Sequence, residues 1–188
     1  MGRPSVRERR RKEIARAFVR VLASHGQAGA SISAVAAEAG VAPGLVHHHF
    51  TDKQDLYAAV IDVLLADFRR RTDAIRAGEG SSASDAYADG ALGLGANADV
   101  IAARAWVGVF AEALSDPVLF QKLRRLIDGE VALIERNAGG TLRTGDASAV
   151  LSFILGALVF GAFAPRKVAG FAAPSLRRFI ASLSVAER

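Results

Sequence analysis

The stretch that most restricts the fold runs from Ser31 to Leu56, SISAVAAEAGVAPGLVHHHFTDKQDL. A hydroxyl at Ser31 or Ser33 can cap a short helix by accepting from an otherwise unpaired amide, and the apolar pattern carries that helix through Ala39. Gly40 ends it, because glycine enters the left-handed conformation without a Cβ penalty. Pro43 tolerates the first helical turn, so a second short helix starts there and runs to about His49. Two short helices joined by a three-residue turn cross at close range, which demands a small residue at the crossing. Ala36 stands at that position, and Val35, Ala39, Val41, Val46 and Phe50 are spaced to pin both helices to a third. Each of these elements is common alone; their joint spacing, behind a basic helix, is specific.

That third helix is Val6 to Ser24. Ile14, Ala15, Phe18, Val21 and Leu22 form one apolar stripe at helical spacing, surrounded by arginines, and His25-Gly26 stops it. Downstream, helical periodicity continues without a convincing alternating strand. Thr51 and Gln54 fit a capping box for a long helix from Asp52 to about Ala77, with Leu56, Val60, Val63, Leu64 and Phe68 on one side. The composition of residues 78–85, GEGSSASD, predicts a loop. Further helices are expected over about 85–96, Asp99 to Leu114, from Pro117 to about Asn137, Asp146 to Phe163 and about Pro174 to Ala186. The Ser115-Asp116-Pro117 run stops one of them and caps the next.

The net charge of +5 is not evenly spread. Residues 1–53 hold nine Lys/Arg against four acids and so carry all of it, while the remainder balances at fifteen of each sign. A basic first quarter on a neutral body suits a nucleic-acid-binding module attached to something else, and equally a solvated terminus. The absence of cysteine excludes disulfides and thiolate chemistry, and no apolar secretory stretch opens the sequence, so a cytoplasmic protein is the expectation.

With these residues in view, Ser31 to Leu56 resembles the DNA-binding region of the TetR family of transcriptional repressors. The resemblance rests on Ala39-Gly40-Val41, the His49 position, the spacing from Phe50 to Lys53, and Leu56. It extends over about residues 10–60, and it breaks where relatives carry a tyrosine-containing aromatic pair, since His47 and His48 stand there. A second stretch, ARAWVGVFAEALSDPVLFQKL, resembles the regulatory domain of the choline-responsive BetI-like branch, a match that assigns no ligand. The family resemblance implies an all-α protein: an N-terminal three-helix DNA-binding domain with the helix-turn-helix, residues 1–53, and a C-terminal helical ligand-binding and dimerisation domain, residues 54–188. It also implies a cytoplasmic homodimer that binds palindromic double-stranded operator DNA and is released by a small-molecule effector.

On that basis roles follow as expectations. Ser31 and Ser33 would hold a phosphate at a helix N-terminus, and ordinary capping explains them equally well. Pro43, Gly44 and Leu45 would approach base edges, reading shape and thymine methyl groups. His47 and His48 would donate to phosphate or a base edge, Lys53 would contact the backbone as a cation, and Arg3 would reach the adjacent minor groove. Arg7, Arg10 and Arg11 would add unspecific attraction. His49 is expected to be structural.

Other chemistries fit the same residues poorly. Adjacent helical residues point about 100 degrees apart, so His47, His48 and His49 diverge and no metal site is expected. No serine nucleophile with a positioned base and no carboxylate pair stands out, so neither an enzyme nor a cofactor is expected. Gly93, Gly95 and Ala98 match a dinucleotide fingerprint, but the preceding SDAYADGAL does not read as the strand it requires. The uncharged run 147–165 is long enough to anchor the chain in a membrane. Its Ser148, Ser152, Gly156 and Gly161, with the resemblance, favour a buried dimer helix and no membrane. For the effector, some of Phe68, Trp106 and Phe110 are expected to line a largely apolar cavity, which Tyr87 could join.

Overall fold

The computed structural model describes residues 5–76, 82–92, 100–139, 142–143 and 145–185. Among the described residues there is no strand. Helix α1 spans Val6–His25, α2 Ile32–Ala39, α3 Pro43–His49, α4 Lys53–Arg76 and α5 Ala83–Leu92. They are followed by α6 Val100–Ala113, α7 Pro117–Asn137, α8 Asp146–Phe163, a 3-10 turn at Pro165–Lys167, and α9 Ala172–Val185.

Local chemistry accounts for most boundaries. Ser5 and Glu8 form a reciprocal capping box at the start of α1, each side chain accepting from the other's amide. Ser31 caps α2 by accepting from the Ala34 amide at 3.1 Å. Gly40 takes the left-handed conformation at φ 65°, and Val41 N–H closes the end of the helix on the Ala36 carbonyl at 3.0 Å. The capping box expected from Thr51 and Gln54 is displaced by one residue. Asp52 accepts from the Asp55 amide at 2.7 Å, and α4 begins at Lys53. An aspartate also places its charge at the positive end of the helix dipole, which Thr51 cannot do. Asp116 likewise caps α7, accepting from Val118 and Leu119 amides at 2.9 Å each. Helix α5 is described as far as Leu92, and the rest of the segment expected to residue 96 lies outside the described residues; the 3-10 turn after α8 is not among the expected elements.

The chain divides into two compact units, Met1–Ala66 with Ile101–Lys122, and Asp67–Val100 with Leu123–Arg188. In the first, α1, α2 and α3 pack around Ile14, Phe18, Val21, Leu22, Val35 and Val46, all at most 2% exposed. Tyr57 of α4 closes this core edge-on to Phe18, with ring centroids 4.9 Å apart. Helix α6 passes α1 closely at Gly108, where a Cβ would lie 3.1 Å from Leu22 Cδ2.

In the second unit Tyr87, Leu92, Val150, Ile154 and Leu176 form the centre of a core from α5, α8 and α9. Gly90 lets α5 approach α4, since a Cβ there would stand 3.0 Å from Thr72 Cα and 2.1 Å from its Oγ1. Helix α8 buries one side, with Ala147, Val150, Leu151 and Ile154 inward. Its other side, Ser148, Ser152, Gly156, Val159, Phe160 and Phe163, is exposed. Among the described residues α8 is the one helix long and apolar enough to cross a membrane.

Candidate DNA interface

The expected pins of the helix-turn-helix divide by depth. Val35, Ala36, Val46 and Phe50 are buried, while Ala39 and Val41 are half-buried. This orients α3 so that Pro43, Gly44, His47 and His48 face solvent and Leu45 is partly covered. A Cβ at Gly44 would meet nothing within 4 Å, so this glycine is not required by the protein's own packing. His49 turns inward instead and is 8% exposed, with a buried Nδ1 that has no hydrogen-bond partner. Burial, and then the nearby His48 ring and the guanidiniums of Arg7, Arg10 and Arg11, lower its pKa. The histidine run thus presents two outward rings and one buried ring. Among the described residues no His, Asp and Glu group is arranged to hold a metal ion.

Ser31 is exposed but its hydroxyl is engaged as the α2 cap; Ser33, in the first turn, is also exposed. Lys53 is half-exposed, and its ammonium lies 3.4 Å from both carboxylate oxygens of Glu112 on α6. Glu112 also accepts from Gln27 Nε2 at 2.6 Å. One α6 carboxylate therefore touches residues on both sides of the helix-turn-helix. Nothing local in the sequence marks it, because its partners lie 59 and 85 positions away.

The basic side chains of α1 do different things. Arg9 and Arg10 lie against Glu13 at 4.0 and 2.7 Å, and Arg20 pairs with Glu38. Arg7, Lys12 and Arg16 are exposed. Arg11 departs from its expected role as unspecific attraction. Its guanidinium donates to both oxygens of Asp55 at 2.6 and 3.1 Å and to the His49 carbonyl, and it stacks 4.3 Å over the Phe50 ring. The bond from Arg11 holds the Asp55 carboxyl below its usual pKa, and Asp55 raises that of Arg11. A guanidinium this occupied is a structural group. Arg3 and the glycines of the dinucleotide-like run, Gly93 and Gly95 with Ala98, lie outside the described residues.

Of the candidate effector-site aromatics, Trp106 and Phe110 stack at 5.6 Å within the first unit. Phe68 belongs to the second, edge-on to Tyr87 at 5.3 Å. Beside that pair Glu130 is buried, accepting from Tyr87 Oη at 2.9 Å and from Arg69.

Comparison with known proteins converges on this geometry. Residues 14–60, the helix-turn-helix with its supporting helices, match the family model of bacterial regulatory proteins, tetR family. The HTH-type transcriptional regulator BetI of Rhizobium meliloti (strain 1021) is 31% identical over 121 residues, 63% of this chain. The match spans 57% of that regulator's length. A transcriptional regulator from Rhodococcus sp. Rha1 shares the fold with a TM-score of 0.79 at 23% identity, covering 92% of this chain and 95% of that one. This chain carries a TetR-family DNA-binding domain. The multidrug binding protein EbrR, solved in complex with imidazole, has the same fold at a TM-score of 0.65 and 24% identity, covering 94% and 96% of the two chains. In the TetR-type frame α2 and α3 are the helix-turn-helix of a DNA-binding module, α4 to α9 contribute the C-terminal helical part, and the family is one of transcriptional regulators rather than enzymes.

Proposed function

We propose that this TetR-family protein is a ligand-responsive, cytoplasmic repressor that binds a palindromic operator as a homodimer and leaves it when a small molecule binds. Residues 1–53 would bind DNA, and 54–188 would dimerise and hold the effector. The observation that carries the reading is the exposed start of α3: Pro43 and the unencumbered Gly44 face solvent beside Leu45. A short backbone with no bulky side chain can come close to base edges in the major groove, which admits one helix. His47 and His48 flank it as donors, Ser31 and Ser33 offer hydroxyls at the start of α2, and Lys53 supplies a cation for phosphate. Arg3 would extend this set into the minor groove.

A helix of seven residues reads few base pairs, so one module discriminates poorly and two related by symmetry are required. The outward side of α8 supports that requirement. Small Ser148, Ser152 and Gly156 followed by exposed Val159, Phe160 and Phe163 form a surface suited to close helix packing with a second copy. It interrupts apolar surface with hydroxyls in a way that lipid does not favour, and no membrane partner is proposed. For the effector, half-buried aromatic surface is offered by Trp106 and Phe110 in the first unit and, separately, by Phe68 in the second. A ligand that prefers the released state weakens DNA affinity by the ratio of its affinities for the two states.

The test combines light scattering with fluorescence anisotropy on duplexes selected from a random library. A detergent-free dimer that binds a palindrome with steep salt dependence supports the reading; a monomer, or a chain that needs detergent, contradicts it. Screening small molecules for release of that duplex then separates a ligand-controlled repressor from a TetR-fold protein without such control.

A further inference from the structure

Helix α3 is too short to hold its own orientation. It has no side-chain cap at Ala42, and it ends at Phe50, whose backbone is extended. Besides the burial of Val46 and Phe50, a side chain from another helix holds its C-terminal end. Arg11, on α1, donates to the carbonyl of His49, the last residue of α3, and lies flat on Phe50, the residue that ends it. The same guanidinium grips Asp55 on α4 through both oxygens, and Asp55 Oδ2 in turn accepts from the Thr51 amide at 3.2 Å. The side chains of Arg11 and Asp55 are 30% and 29% exposed. One planar fork therefore ties α1, the end of α3, the connecting Phe50-Thr51 backbone and the first turn of α4.

We propose that Arg11, together with Asp55, is a positioning residue for DNA reading: it sets the pose of α3 and so controls discrimination between sequences, rather than attraction to phosphate. The proposal rests on α3 being the recognition helix. Its physical basis is the directionality of the guanidinium. Five N–H donors in one rigid plane can satisfy a carboxylate and a carbonyl at once, which an ammonium on a flexible stem cannot do in fixed geometry. Base contacts depend on placement, whereas attraction to phosphate depends on charge and tolerates displacement.

Two variants separate the possibilities. Arg11→Lys keeps the charge and loses the fork. Asp55→Asn keeps the size, removes the anion and unmasks a cation close to the DNA-facing module. Binding is read by anisotropy on the duplex that the wild type selects from a random library and on a scrambled duplex of equal length and composition, at one fixed salt concentration. Both variants should bind the selected duplex roughly 5- to 100-fold more weakly, the size of one or two lost base contacts. On the scrambled duplex Arg11→Lys should stay within about twofold of wild type, and Asp55→Asn should match or exceed it, because unspecific binding follows charge.

Circular dichroism spectra and melting curves matching the wild type show that each variant is folded. Equal weakening on both duplexes, or unchanged discrimination in Asp55→Asn, overturns the proposal. If the wild type selects no sequence at all, the reading of α3 as a recognition helix fails first and takes the proposal with it.

Discussion

Glu112 holds Lys53 while DNA is absent, so neutralising it should tighten DNA binding. The Lys53 ammonium is 3.4 Å from both Glu112 oxygens, with Lys53 42% and Glu112 17% exposed. To reach a phosphate, Lys53 must leave this partner. Glu112→Gln keeps the side-chain size and an oxygen that can still accept from Gln27, but removes the charge that competes with the phosphate. Half-exposed pairs of this kind contribute about 0.2–1 kcal/mol, so the two protomers of a dimer return about 0.4–2 kcal/mol, a roughly two- to thirtyfold gain in affinity. Lys53→Ala should act in the opposite direction. It should weaken binding to all sequences alike and reduce the slope of log affinity against log salt by about 1.8 per dimer, one phosphate per protomer. The assay is anisotropy on one duplex over about 50 to 200 mM salt, the range in which that slope is well defined. In a Lys53→Ala background, Glu112→Gln should do nothing. If it still tightens binding there, the effect is one of net charge and the competition between Glu112 and phosphate is refuted.

Three further outcomes follow from the packing and titration of named groups. Gly90→Ala should lower the unfolding free energy by about 1–3 kcal/mol in urea titration, because the Thr72 backbone stands 3.0 Å from the new Cβ in addition to its Oγ1, so turning the hydroxyl away does not relieve the contact; an unchanged midpoint would show that α4 and α5 separate freely. His49 has a folded pKa below that of the unfolded chain, so its contribution to stability is present above about pH 6.5 and is lost as the pH falls from there towards the lowered folded value; melts from pH 7.5 to pH 5 should show a drop that His49→Gln lacks. Phe160→Glu with Phe163→Glu places charge on the outward face of α8 and should convert a dimer to a monomer in light scattering, with helical content unchanged; a persisting dimer would place the interface elsewhere.

How much of this was legible in the sequence depends on how far each cause reaches along the chain. Gly40, Pro43 and the spacing of the apolar Val35, Ala36, Val46 and Phe50 are local signals, and they gave the bounds of α3 and most of the burial in the helix-turn-helix. Helix α8 was legible in the same way, starting at Asp146 and running into the uncharged stretch 147–165. The Ser5–Glu8 capping box was equally readable as Ser-x-x-Glu. The displacement from Thr51 to Asp52 shows that two adjacent cap candidates are separated by electrostatics that a pattern does not rank. The histidine run could be divided by helical geometry alone, and the structure adds that the His49 Nδ1 has no partner. Arg11 and Glu112 are of another kind. Each looks like one more surface charge, and only folding brings Arg11 to Asp55, 44 positions on, or Glu112 to Gln27, 85 positions back. The uneven roles of the α1 arginines have the same origin: composition counts charges, and the fold decides which of them already have a partner.

The proposed reading of DNA by the exposed start of α3 is directly accessible at Gly44. Its position tolerates a side chain without disturbing any neighbour, so a substitution there reports on the DNA side alone. Duplexes selected from a random library by the wild type and by Gly44→Asn should be compared by sequencing. The prediction is a palindrome for both, with the preferred base changed at one symmetric pair of positions in the variant, since asparagine at the groove floor favours adenine. Selection of the same palindrome with unchanged preference at every position would contradict it.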